Sequence, residues 1–205
     1  MIFGIGLQKT GLTSLRFALK KLGFRTRQFP RDLEMFQLLI SGNYQIPLFN
    51  RYDAVMDLPI PVFYPQFDKE YPNSKFILTI RKRNEWLDSI KRNFQWQNNQ
   101  FPNFRNQSKS YKIEYANYVD LCTYGCVYFN EKRFNYVYET HFKNTLRYFR
   151  DRPNDLLVMD VCGGDGWDIL CPFLDKQKPK EDFPHENKWK DRLKLAKNDK
   201  RKYHL

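Results

Sequence analysis

The sequence predicts an α/β domain, and three observations carry that expectation. Residues 1–22 read as a buried strand, a glycine-containing loop and a helix in immediate succession. Residues 24–40 repeat the strand-then-helix order, and residues 74–80, SKFILTI, form the short apolar run that a parallel sheet buries on both faces. The chain of 205 residues is long enough for one such domain with a core of its own. With 28% charged and 41% hydrophobic residues it does not have the composition of a disordered protein. The net charge of +12 suits a nucleic acid, an acidic membrane surface or a polyanionic ligand or substrate. It is unevenly spread, since residues 176–205 hold 11 Lys and Arg against 5 Asp and Glu. No stretch approaches the roughly 20 apolar residues of a membrane helix. A strand starting at Ile2 leaves no space for a signal peptide, so a cytoplasmic protein is expected.

Ile2, Phe3, Ile5 and Leu7 supply the first strand. From Thr13 onward Leu15, Ala18, Leu19 and Leu22 recur at helical spacing, and Gly23 stands where the helix stops. A second strand is expected over residues 24–29 and a helix over 31–40, closed by Ser41-Gly42. Residues 51–59, RYDAVMDLP, bring an apolar segment up to Asp57; Pro59 and Pro61 oppose continuation as strand or helix interior, so Asp57 is expected where the chain leaves the sheet. The run 74–80 ends in Arg81. Asn84 then caps a helix whose Trp86, Leu87, Ile90 and Phe94 share a face, with Ser89 on the same helix. Residues 95–110 are polar and punctuated by Trp96, Phe101 and Phe104, which predicts a long loop, either a binding or lid loop or a disordered insert. Two Tyr- and Phe-rich helices follow over 111–128 and 131–150, then a strand over 155–161, a glycine loop and a helix over 167–174. Cys122, Cys126, Cys162 and Cys171 are too few for a disulfide framework, and the first two are expected as buried helix thiols.

A strand that turns through a tight loop into a helix directs backbone N–H groups and the positive end of the helix dipole at one spot, which suits an anion. The loop resembles the phosphate-binding pattern G-x-x-x-x-G-K-[ST]: Gly6, Gly11 and Thr13 fall on it, whereas Leu12 takes the place of the lysine and Lys9 is the cation inside the loop. The run Gln8-Lys9-Thr10-Gly11-Leu12-Thr13-Ser14-Leu15 resembles the 5'-phosphosulfate loop of sulfotransferases that use 3'-phosphoadenosine 5'-phosphosulfate (PAPS). Arg81 ending a strand and Ser89 on the next helix resemble the 3'-phosphate site of the same family, where a guanidinium fork and a hydroxyl match phosphate oxygens. The likeness is greatest to soluble, bacterial-type members.

The resemblance implies a three-layer α/β/α sandwich with a mainly parallel sheet of the P-loop NTPase kind, spanning residues 1–188 ahead of a basic tail at 189–205. It also implies transfer of a sulfuryl group from PAPS to a hydroxyl or amine, without a metal. Lys9, Thr10, Gly11, Thr13 and Ser14 would form the 5' site and Arg81 with Ser89 the 3' site. Asn187 and Lys188 would contact the donor from the Pro-His-x-Asn-like stretch at 183–188. Asp57-Leu58-Pro59 resembles the arrangement in which a carboxylate serves as general base; Asp53, four residues earlier, competes for that role. Residues 166–174 resemble the segment where the family packs a late strand on a short helix, so the second glycine loop is expected to be structural. A glycan or small hydroxylated molecule is the expected acceptor class, and nucleic acid is not the expected partner. Two other classes stay open at this point: a P-loop small-molecule kinase, against which Leu12 speaks, and a basic nucleic-acid-binding protein, which would account for the charge.

Overall fold

The computed structural model describes residues 1–100 and 111–186, and of these the side chains of all but 96–100. β1 (Ile2–Gly4) leads to α1 (Leu12–Lys21), β2 (Thr26–Gln28) to α2 (Leu33–Ile40), and β3 (Ala54–Met56) to α3 (Ile60–Glu70). β4 (Lys75–Thr79) is followed by α4 (Arg83–Gln100), α5 (Tyr111–Tyr124) and α6 (Glu131–Tyr148), and β5 (Leu156–Met159) by α7 (Trp167–Phe173). The five strands form one all-parallel sheet in the order β2-β3-β1-β4-β5.

Alternation along these short strands builds two cores. Ile2, Ala54, Met56, Ile77 and Met159 meet Leu12, Leu15, Ala18 and Leu19 of α1 and Trp167 and Leu170 of α7 on one face. Phe3, Val55, Phe76 and Leu78 meet α2, α3, α4, α5 and α6 on the other. Fully burying each large apolar side chain contributes about 1.5–3 kcal/mol. The Phe3 ring stacks on Phe67 and Phe76, with centroids 5.6 and 5.3 Å away. The expected α/β/α layering is therefore present. β1 sends the chain to β2 across the α1 face and β4 sends it to β5 across the opposite face, so the loops beyond the two strands diverge. A crevice at the C-terminal edge of the sheet is the usual result of that divergence.

Several elements differ from their sequence expectation for local reasons. α2 starts at Leu33 rather than residue 31 because Asp32 caps it, its carboxylate accepting from the Met35 N–H at 3.2 Å. Pro59 and Pro61 do not keep a helix away: α3 begins at Ile60, with prolines in the first turn, where a missing N–H costs nothing, and a non-helical Phe63 ahead of the internal Pro65. α4 begins at Arg83, which puts Asn84 inside the first turn rather than at the cap, and it continues to Gln100, so residues 95–100 of the expected loop are helical. Cys122 is exposed and Cys126 half-buried, not the enclosed pair expected.

His141 joins α6 to the chain beyond β1: its Nε2 lies 2.7 Å from the Ile5 carbonyl oxygen, which can only accept, so Nε2 carries the proton. Burial holds the imidazole below its ordinary value of 6.5. Because the unfolded chain takes up this proton first, thermal stability is expected to be full above the ordinary value of 6.5 and to fall as the pH drops below it. Unfolding midpoints across that range, with His141→Gln as the variant that still offers a donor to Ile5, check this; the variant should flatten the slope.

Candidate active site

The loop between β1 and α1 is shaped by its packing. A Cβ at Gly6 would lie 1.9 Å from Thr79 Oγ1 and 2.6 Å from the Thr79 carbonyl oxygen, so β4 passes too close for any side chain there. Gly11 has φ 104 and a Cβ on it would lie 2.8 Å from Val161 Cβ, which seats the turn against the chain leaving β5. Lys9 adopts φ 71 at the loop's crest and is half-buried. The buried Thr10 hydroxyl donates to the Leu7 carbonyl at 2.6 Å and is 2.6 Å from Thr79 Oγ1, which must then be the donor to it. Thr10 is thus a strut between loop and sheet, and its own contribution to a ligand is the backbone N–H. Trp86 Nε1 donates to the Gln8 carbonyl at 2.8 Å from the side of α4.

α1 starts at Leu12 with Gly11 as its cap residue, no side-chain cap and no acidic residue in its first turn, so the dipole and N–H groups are not answered by the helix itself. Leu12 is 3% exposed and packs into the core against β1. The position where a nucleotide hydrolase keeps its lysine is therefore a core position in this chain. Ser14 is 5% exposed, and its Oγ accepts from the Glu186 N–H at 2.9 Å.

Asp57 follows β3 at the same edge of the sheet, with φ 72. Its Oδ1 accepts from the Leu58 N–H at 2.9 Å and its Oδ2 from Gln28 Nε2 at 3.0 Å; the same Gln28 nitrogen lies 3.2 Å from Thr13 Oγ1. The carboxylate is thereby connected to the first turn of α1. Its negative charge also helps to raise the pKa of Tyr115 and Tyr124 on α5, both pushed up chiefly by burial. Asp53 lies at the opposite end of β3, where Arg25 donates to it from the backbone at 2.7 Å and from the guanidinium at 3.1 and 2.8 Å. Hydrogen bonds from Arg25 hold its carboxyl down at about 2.

Arg81 stands two residues past β4, its N–H donating to Tyr138 Oη at 3.0 Å and its carbonyl accepting from the same hydroxyl. Its guanidinium Nε donates to Glu85 Oε2 at 3.3 Å, and its side chain is 24% exposed. Glu85, legible as the i+4 partner of Arg81, was missing from the sequence reading. Ser89, one turn beyond Glu85 on α4, is 8% exposed. Arg81 and Lys9 both act to lower the pKa of the exposed Cys162 thiol, so the two positive charges border one locality at the end of β5. Gln28, Glu85 and Cys162 are the residues of this edge that sequence patterns did not single out.

The second glycine loop closes on itself. Asp165 Oδ2 accepts from the Asp160 N–H at 2.7 Å and Asp160 Oδ1 from the Gly163 N–H at 2.8 Å, and the Gly163 and Asp165 N–H groups also donate to the Asp160 carbonyl, so the loop is braced by its own carboxylates and backbone. That is the structural role expected for it. Phe183 covers Gly166 and packs edge-on to Trp167, centroids 4.8 Å apart, before Glu186 reaches Ser14. Asn187, Lys188 and the tail at 189–205 lie outside the described residues. Among the described residues no group of three or more His, Cys, Asp and Glu could hold a metal ion, and no helix is long and apolar enough to cross a membrane.

The parallel sheet thus carries, at one edge, a glycine loop that opens a helix, a lysine in the turn and a carboxylate one strand away. Residues 1–192 match the sulfotransferase-domain family, and the chain belongs to that family. It is similar to Ava biosynthesis cluster protein M of Aspergillus versicolor, with 25% identity over 88% of this chain and 78% of the relative. Its fold is similar to the crystal structure of a sulfotransferase from Alicyclobacillus acidocaldarius, with a TM-score of 0.52 and 14% identity over 96% of this chain and 90% of that one.

Proposed function

We propose that the protein transfers a sulfuryl group from PAPS to an acceptor hydroxyl or amine, with Asp57 as general base and no metal. The single observation that supports this reading most is the hydrogen-bonded connection from Asp57 through Gln28 to Thr13, because it sets a proton acceptor beside the loop that suits an anion. The residues present fit the donor: Gly6 and Gly11 leave the loop backbone bare, α1 offers N–H groups with no acidic competitor in its first turn, and Lys9 supplies a cation. Arg81 and Ser89 would take the 3'-phosphate, the guanidinium exchanging Glu85 for phosphate oxygens.

When bound, PAPS supplies an electrophilic sulfuryl group whose S–O bond to the 5'-phosphate breaks as the acceptor oxygen or nitrogen bonds to sulfur. Asp57 takes the proton that the acceptor loses. Lys9 and the N–H groups of residues 11–14 stabilise the charge gathering on the departing phosphate, the usual work of preorganised donors. Asn187 and Lys188 remain proposed donor contacts on the resemblance; Glu186, the residue before them, donates its N–H to Ser14 Oγ. Isothermal titration with the desulfo nucleotide, 3'-phosphoadenosine 5'-phosphate, should show tight binding without Mg²⁺ and at least about tenfold preference over ADP. Absence of binding, or equal affinity for ADP, would overturn the reading in favour of a kinase or a different ligand. A screen of phenols, glycans and lipid head groups with labelled PAPS then identifies the acceptor.

A further inference from the structure

We propose that Gln28 is a positioning residue for this transfer, its side-chain amide tying the Asp57 carboxylate to the Thr13 hydroxyl and so fixing the base against the donor loop. The inference rests on the reading of Asp57 as base. Gln28 ends β2, an edge strand on which Arg27 is exposed and Thr26 and Gln28 are half-buried, and stands in register with Met56, one residue before Asp57. The sheet thus delivers Gln28 to Asp57 through backbone pairing rather than through a local turn. Oδ2 of an ionised carboxylate can only accept, so the amide nitrogen, not its oxygen, must face it. That nitrogen has two hydrogens and donates to Asp57 Oδ2 at 3.0 Å and to Thr13 Oγ1 at 3.2 Å.

The consequence is directional. One carboxylate oxygen is held by the Leu58 N–H at 2.9 Å and the other by Gln28, so rotation of the group is opposed from both sides. Thr13 belongs to the first turn of α1, the turn that would receive the donor, so displacement of either partner is felt by the other. Both of these bonds go to side chains at the site, one to the carboxylate and one to the first turn of α1.

A hydrogen bond donated to the ionised form of an acid favours that form. The phenols of Tyr115 and Tyr124, which sense the Asp57 charge from α5, are pushed up by burial and stay neutral while a carboxyl titrates. Carbon-detected NMR titration of the Asp57 side-chain carboxyl reads the effect without any acceptor. Replacing the donor in Gln28→Met should raise the midpoint by about 1 pH unit, and Gln28→Glu, which sets a like charge beside it, should raise it further. Binding of 3'-phosphoadenosine 5'-phosphate to Gln28→Met should stay within about threefold of the parent protein, while kcat falls about tenfold or more from lost alignment. An unmoved Asp57 midpoint in folded Gln28→Met, or a shifted midpoint with unchanged kcat, overturns the positioning role. Failure of the parent protein to bind the nucleotide overturns the donor reading instead, and the two failures are told apart by titration and calorimetry on the same samples.

Discussion

Lys9→Ala should lose sulfuryl transfer by about 10²- to 10³-fold while the protein remains folded. The size follows from the charge change at the loop: as the bond to sulfur breaks, negative charge collects on the 5'-phosphate, and Lys9 is the side-chain cation inside the turn. Backbone N–H groups remain in the variant, so residual activity should persist rather than vanish. Stability should change little for a specific reason. The crest residue has φ 71, which strains any residue with a Cβ, but lysine and alanine carry that strain equally. The measurement is initial rate at saturating donor together with a thermal unfolding midpoint. A variant that transfers at the parent rate removes Lys9 from the mechanism; a variant that no longer unfolds cooperatively would need Lys9→Gln in its place, with the same rate loss expected.

The second large effect separates two aspartates four residues apart. Asp57→Asn should lower kcat by about 10²- to 10⁴-fold, because an amide keeps the shape and one of the two accepted hydrogen bonds but cannot take a proton. Asparagine also tolerates the left-handed backbone at φ 72, so the fold should survive. Asp53→Asn should leave kcat unchanged, since Asp53 is at the far end of β3 and engaged by Arg25. Its effect belongs to acid stability. With the carboxyl held at about 2, below its ordinary 3.8, the Arg25 interaction is fully present above 3.8 and lost as the pH falls through about 2, a dependence the asparagine variant should lack. A larger rate loss in Asp53→Asn than in Asp57→Asn would reverse the assignment.

Much of the fold could be read from the chain because each core residue obeys a simple period. Phe3, Val55 and Phe76 alternate with Ile2, Met56 and Ile77, and Leu12, Leu15, Ala18 and Leu19 recur at helical spacing. α3 escaped because Pro59 and Pro61 carry a breaker signal that position cancels, since at the start of a helix proline has no bond to lose, while the internal Pro65 is accommodated by the non-helical Phe63. The last turns of α4 escaped because residues 95–100, QWQNNQ, carry no helical apolar face. At the site, Lys9, Gly11 and Asp57 were legible, since loop glycines and a carboxylate at a strand end have sequence signatures. Gln28 was not. Its role depends on parallel register between β2 and β3, a long-range choice that no window of neighbouring residues encodes. Glu85 could have been found four residues after Arg81, but an arginine at a strand end is read more easily for an absent phosphate than for its neighbour.

The hydrogen bonds that hold the β1–α1 loop and its first helical turn have a consequence for the history of the chain. The turn itself is written in adjacent residues, yet Trp86 reaches Gln8 across 78 positions, His141 reaches Ile5 across 136 and Glu186 reaches Ser14 across 172. Contacts so distant along the backbone carry the highest closure entropy and are the slowest to form. A nascent chain therefore makes this loop first and completes it last. Its rigidity is borrowed from residues far along the chain, and a polypeptide that ends ahead of Glu186 would carry every residue of the loop without the bond that clasps Ser14.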